Sequence, residues 1–482
     1  MDRNRFLADP RGAMLALFGA SEANIVAVVR DALSGADDGE LFVECTFTRG
    51  ISFEGGKVES LSYTESGGIG LRRVVKEAQY YASGNEFSLS AVRDFGARLR
   101  AASGDGEFIE DIPAVQTKQH YDAVDVFAHS VEEIIERLRA LDREARAFTF
   151  EKCPSITVED TELSIVSQMK CVLIVRPDGF VASDIRPMLR FSASVRCADG
   201  ENTEWGTVRL AGRRSFDDLL TKDVLSRTAR EAAELAYDLI FAKPCPSGSM
   251  PVVIGNGWGG VLVHEAIGHA LEGDAIREKD SVFVGKLGTQ VASPIVTIVD
   301  DGTLYGLRGS LTFDDEGTPT ERSVLIENGM LKAFMNDRLS ARVLGLPQTG
   351  SARRESYRFP PIVRMRNTFV EAGNDDPKSI IADTAYGLYI KDFSGGQVDS
   401  RTGKFTFTAD IGYVIENGAL AHAVRGVTLI GDCREALLYI DRVGNDLDHG
   451  SGNCGKSGQS VPVCVGQPTV RLNGGVTVGG TV

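Results

Sequence analysis

The chain contains no run of about 18 apolar residues, the length a helix needs to cross a bilayer, so no membrane span is expected. It also lacks a CxxC pair: its eight cysteines stand apart at 45, 153, 171, 197, 245, 433, 454 and 464. Spacing this wide reads as reduced thiols and not as a disulfide framework. The apolar stretch Ala13 to Ala20 is too short for a signal-peptide core, and the expected location is the cytoplasm. Concentrated positive charge is missing as well. The formal net charge is -15, which excludes a nucleic-acid partner held by a basic surface. The short pairs Arg72-Arg73, Arg213-Arg214 and Arg353-Arg354 read as solvated faces or structural ion pairs. No fixed-period repeat and no low-complexity tract is present.

What is present fits a folded chain with large cores: 482 residues, 43% hydrophobic and 25% charged. Length predicts two to three domains. The expected units are 1–125, 126–245 and 246–482, with the second boundary in the Pro-containing stretch AKPCPSGSM. The fold class is α+β: N-terminal α/β hairpin-and-helix units, then a β-rich C-terminal domain carrying one metal-binding helix. Helices are predicted from Glu22 with Ser21 as N-cap, over Ser88 to Ser103, over Ser130 to Arg146, and from about Ser215 to Phe241. Short hairpin strands are predicted between 41 and 83, with Gly55-Gly56 and Gly67-Gly68 as turns.

The chemistry concentrates in His264-Glu265-Ala266-Ile267-Gly268-His269. This is HExxH with one residue added. A chance HExxxH in such a chain is expected on the order of 0.005 times, which favours a metal site over two ordinary helix histidines. At about 100° per residue, a spacing of four places two rings about 40° apart, whereas five places them about 140° apart. A regular helix therefore cannot aim both rings at one ion. Either a single π-type turn or a helix end must lie between them, and Gly268 supplies a permissive residue there. A catalytic zinc site usually has three protein ligands. Candidates for the third are Cys454, in the Gly-rich loop GSGNCGKSGQ, and Glu272, with His449, Asp274 and Cys464 behind them. Lys456 would favour a Cys454 thiolate. Glu265, beside a ligand, is placed to act as general base.

Long C-terminal stretches resemble the TldD branch of the TldD/PmbA peptidases, also called modulators of DNA gyrase. They are HEAIGHALEGD, LTFDDEGTPTERSVLIENGMLK, GSARRESYR, GGQVDSRTGKFTFTADIGYVIENG and GNCGKSGQSVPVCVGQPTVRLNGGVTVGG. Residues 54–84 are similar to the family's N-terminal hairpin region more loosely. The resemblance implies a zinc site of His264, His269 and Cys454, with Glu265 catalytic, in a metallopeptidase acting on short or unfolded peptides inside an enclosed chamber. It further implies a homodimer, or a heterodimer with a metal-free paralogue of the PmbA type. The alternative is a non-catalytic, peptide-binding or regulatory subunit whose zinc is structural. A metal-dependent amidase for a small molecule is a third reading and would need a small closed pocket.

Overall fold

A computed structural model describes residues 2–106 and 124–479. The stretch leading up to the first predicted boundary therefore lies mostly outside the described residues. Residues from both N-terminal units build one antiparallel sheet of six strands. These are β1 (Asp38–Glu54), β2 (Lys57–Val75), β3 (Ala78–Gly84), β4 (Thr157–Val175), β5 (Val181–Ala198) and β6 (Thr203–Gly212), in the order β3-β2-β1-β4-β5-β6. β1 pairs with β4 in unbroken register from Leu41↔Val175 to Glu54↔Glu162, so the two units share a single core.

The strands are longer than their sequence pattern implied. Gly55 and Gly56 do turn the chain, with φ of 56° and 79°, because Glu54 pairs with Lys57 across a two-residue loop. Gly67 and Gly68 do not turn it: β2 runs straight through them. A Cβ on Gly68 would lie 2.3 Å from the Tyr357 ring. That glycine admits the C-terminal half of the chain against the sheet.

Four helices pack on one face of the sheet: Glu22–Ala32, Leu89–Ser103, Val131–Arg146 and Lys222–Phe241. Ser21, Ser88 and Ser130 cap the first three, the last through a capping box with Glu133. The fourth differs from expectation. The predicted helix from Ser215 breaks after Phe216–Leu219, and Thr221 caps a new start. Two further N-terminal helices, Arg3–Ala8 and Pro10–Ala16, were not expected.

The other face of the sheet meets the C-terminal half. This explains why β1 is buried continuously from Asp38 to Phe47 instead of alternating. Phe42, Val172 and Ile174 pack against Phe313 and Tyr357. Around them runs a buried ionic seam. Arg72 meets Glu316 at 2.5 Å and Glu40 at 2.7 Å, Arg338 meets Asp38 at 2.6 Å, and Arg354 meets Glu40 at 2.7 Å. Two of the basic pairs are thus buried: Arg72 and Arg354 are structural ion-pair partners, while Arg73 donates to the carbonyls of Ser34, Gly35 and Gly104.

The C-terminal half holds two larger sheets. One has six strands and ends in the hairpin Gln459–Gln467 and Asp448–Lys456, the latter at the sheet edge. The other has nine strands and includes Val252–Ile254, Tyr386–Ile390 and Lys404–Glu416. The segment from Trp258 to Leu271 is buried between them.

Candidate metal centre

The two histidines stand on an irregular helical segment that resolves the 140° problem. Val261–Val263 is α-helical, His264–Gly268 is a π-turn, and His269–Leu271 is 3₁₀. The His269 N–H donates to the His264 carbonyl, an i→i+5 bond. Gly268 is not there for backbone freedom, since its φ of -54° and ψ of -55° are ordinary helical values. Its role is space: a Cβ would lie 1.9 Å from the Met365 Sδ.

Cys454 comes from a strand and not from a loop. Ser457 and Gly458, with φ of 51° and 72°, form the whole turn between Lys456 and Gln459. Along Asp448–Lys456 side chains alternate, so Gly450, Gly452 and Cys454 share a face. Trp258 lies on that face: a Cβ on Gly452 would stand 2.2 Å from its ring and one on Gly450 2.8 Å away. The glycines seat Trp258, and Cys454 reaches the histidines beyond it. Arg364, fully buried, donates to the Cys454 carbonyl and fixes the strand there.

One ligand atom each from His264, His269 and Cys454 falls within 4.8 Å of the others. The Cys454 Sγ lies 3.4 Å from the His269 Nε2, and the two rings meet edge to face at 5.3 Å. Burial opposes ionisation of the Cys454 thiol, but the facing His264 and His269 outweigh it and hold its pKa well below the ordinary range. His269 moves the other way: burial lowers its pKa, while Glu272 and Cys454 together raise it well above the usual imidazole value. Glu265 completes the group, its Oε2 3.7 Å from the His269 Nε2.

The remaining candidates lie elsewhere. Glu272 contacts the His269 Nδ1 at 3.0 Å. Burial would raise its pKa, yet Lys456 and His269 bring it down to about 2. As an ionised carboxylate it only accepts, so Nδ1 carries the proton and Nε2 faces the thiol. Lys456 acts on this carboxylate and not on the thiol, contacting Glu272 at 2.8 Å and Asp274 at 2.7 Å. Asp274, pushed up to about 6 by burial, serves as the second partner of that lysine. His449 lies five residues before Cys454, hence on the opposite strand face, against Phe369. The Cys464 Sγ accepts from the Arg308 N–H at 3.2 Å, and burial raises its pKa. Arg364 and Met365 carried no sequence signal, because each acts through packing of elements distant in the chain.

The donor set fits a borderline-soft divalent ion such as zinc: a low-pKa thiolate and two imidazoles. The Nδ1 of His264 is buried with no hydrogen-bond partner among the described residues, as expected where a ligand completes the site.

Three family models match consecutive parts of the chain: PmbA/TldA metallopeptidase domain 1 over 39–103, the central domain over 125–240, and the C-terminal domain over 247–480. The chain belongs to the TldD/PmbA metallopeptidase family. It is 39% identical to the metalloprotease TldD homolog of Haemophilus influenzae over 456 residues, covering 92% of this chain and 93% of that one. It is 33% identical to the zinc metalloprotease TldD homolog of Saccharolobus solfataricus, over 49% of this chain and 53% of that one. Its fold matches the crystal structure of a putative modulator of a DNA gyrase from Thermotoga maritima with a TM-score of 0.76 at 21% identity, covering 95% of this chain and 99% of that one. No helix of the described residues is long and apolar enough to cross a membrane.

Proposed function

We propose that this metallopeptidase is a zinc enzyme that hydrolyses short or unfolded peptides in the cytoplasm, with Glu265 as general base. The observation that carries this reading is the convergence of His264, His269 and Cys454 within 4.8 Å, with Glu265 beside them. A zinc ion held by these three residues would supply Lewis-acid polarisation of a water and of the scissile carbonyl. Glu265 accepts the proton of the attacking water and returns it to the leaving amine. Glu272 holds the His269 ring in one tautomer, and the buried Cys454 thiolate faces it.

The Cys454 strand is a sheet edge, and a cleft of about 410 Å³ runs beside it, lined by Ser451, Gly452 and Asn453 on one side and by Arg209 to Ala211 of β6 on the other. An extended peptide would enter this cleft as an added strand, bound mainly through its backbone. The structural-zinc alternative requires a fourth protein ligand. Among the described residues the group holds three.

Assembly with a second copy or with a metal-free paralogue belongs to the same reading. β2 offers an edge for it: Lys57–Ser66 is exposed throughout and has no strand on its outer side among the described residues, with Leu61 55% and Tyr63 54% exposed. Leu61→Asp should shift the sedimenting species toward monomer, and an unchanged mass would remove this edge from the interface.

Glu265→Gln tests the chemistry. The variant should keep its zinc and its fold and lose about 10²–10⁴-fold in kcat. Near-normal turnover with zinc in place would remove Glu265 as base and favour the structural-zinc reading.

A further inference from the structure

A second cavity of about 380 Å³ lies between the N-terminal sheet and the metal-carrying hairpin, on the strand face opposite Cys454. It shares Arg190, Arg308 and Asn453 with the peptide cleft, so the two spaces adjoin at these side chains. Seven cationic side chains but only three carboxylates line it. Each carboxylate is already engaged. Glu44 meets Lys170 at 3.4 Å, Asp315 meets Arg186 at 2.5 Å, and Glu355 accepts from the Ser460 N–H at 2.6 Å.

Three of the cations, Arg190, Arg308 and Arg353, have no carboxylate within 4.0 Å among the described residues. Arg353 spends its guanidinium on the carbonyls of Met365 and Pro462, both at 2.6 Å, and forms a wall. The Arg190 side chain has no hydrogen-bond partner among the described residues. Arg308 is 8% exposed; its Nη2 donates to the Asn453 Oδ1 at 2.6 Å, and its Nε is buried with no partner. Buried, unsatisfied guanidinium nitrogen is costly and calls for an acceptor. Burial, then Arg190 and Arg213, push the Arg308 pKa down to about 10, the signature of cations crowded without a counter-charge.

We propose that this cavity binds a carboxylate of the peptide substrate, with Arg308 and Arg190 as its recognition groups. The inference rests on the peptidase reading, because the carboxylate arrives on a chain lying along the edge strand. Side chains of such a chain alternate between the two strand faces. Those facing Cys454 flank the zinc site; those facing Asn453 enter the arginine cavity. The carboxylate belongs either to an acidic side chain or to the C-terminus, and both satisfy a guanidinium equally well.

The test is peptide binding to zinc-loaded Glu265→Gln protein, followed by fluorescence anisotropy. The probes are one disordered sequence in three forms: C-terminal amide without acidic residues, free C-terminal acid, and amide with an internal glutamate. One acidic form should bind at least about 10-fold tighter than the neutral amide, and which form does so identifies the source. Arg308→Met and Arg190→Met should each collapse that preference while zinc content holds. Arg190→Met guards against misfolding, since Arg190 is half-buried and its side chain has no hydrogen bond or ion pair among the described residues. Equal affinity for all three forms would overturn the carboxylate site and leave the peptidase reading standing. No binding of any form, with inorganic phosphate still raising the melting temperature of the parent and not of Arg308→Met, would instead overturn the peptide reading.

Discussion

Cys454 and Cys464 occupy the two strands of one hairpin, yet their surroundings give them opposite chemistry. Cys454 faces two imidazoles that favour its thiolate. Cys464 is buried against Arg308 and Gly309 N–H groups, and burial keeps it a thiol. Cys454→Ser should therefore lose most bound zinc, whereas Cys464→Ser should retain it, as elemental analysis of freshly purified protein would show. Zinc lost only in Cys464→Ser would identify the wrong thiol. Glu272→Gln belongs to the same experiment: it weakens the hold on His269 and should lower zinc affinity by about 10–100-fold in a chelator competition. From the sequence alone Glu272 and Cys454 were both candidate ligands; the difference is geometric, since Glu272 sits three residues beyond His269 and lies against its Nδ1.

At the scale of elements, the π-turn was legible because helical geometry forbids its alternatives. Five-residue spacing and two rings on one ion leave few backbones, and the His269-to-His264 bond is one of them. Glycine was harder to read. Gly68 and Gly268 resemble part of a turn and a hinge, but Tyr357 and Met365, both distant in sequence, explain them. Contacts that close over long separations leave no local pattern. The same holds for the seam between the halves: the arginine pairs read as solvated faces or structural ion pairs, and only the fold shows Arg72 and Arg354 buried in ion pairs. Its acid response is testable through Asp38. Burial would raise that carboxyl, but Arg338 and Arg72 bring it from 3.8 to about 2. A depressed carboxylate contributes stability above its unfolded pKa and loses it as pH falls through the folded one. The contribution, on the order of 2 kcal/mol, should vanish between about pH 4 and pH 2. Urea unfolding across that window should show Asp38→Asn less stable at the upper end and flatter below it. Parallel curves for both proteins would assign the acid loss to other groups.

At the scale of the whole molecule, the question is what a peptidase does with folded neighbours. The metal-bearing segment lies buried between two sheets, and His264 is 2% exposed. The N-terminal sheet covers the hairpin that carries Cys454, and the route proposed above is the cleft beside the edge strand Asp448–Lys456. A globular domain cannot enter a space of about 410 Å³, and its backbone donors and acceptors are already paired internally. An unfolded segment has both the slimness and the unpaired groups to add as a strand. Short or disordered peptides should therefore be cleaved, while stable globular proteins should survive. The decisive comparison presents one cleavable sequence in two states, inside a stably folded host and as a free fragment, at equal concentration. The fragment should be hydrolysed at least about 100-fold faster, because a host with 5 kcal/mol or more of stability exposes the segment in only a small fraction of molecules. Destabilising the host should raise its rate in step with its unfolded fraction. Equal rates in both states would mean that the site is open to folded chains and that the sheets do not enclose it.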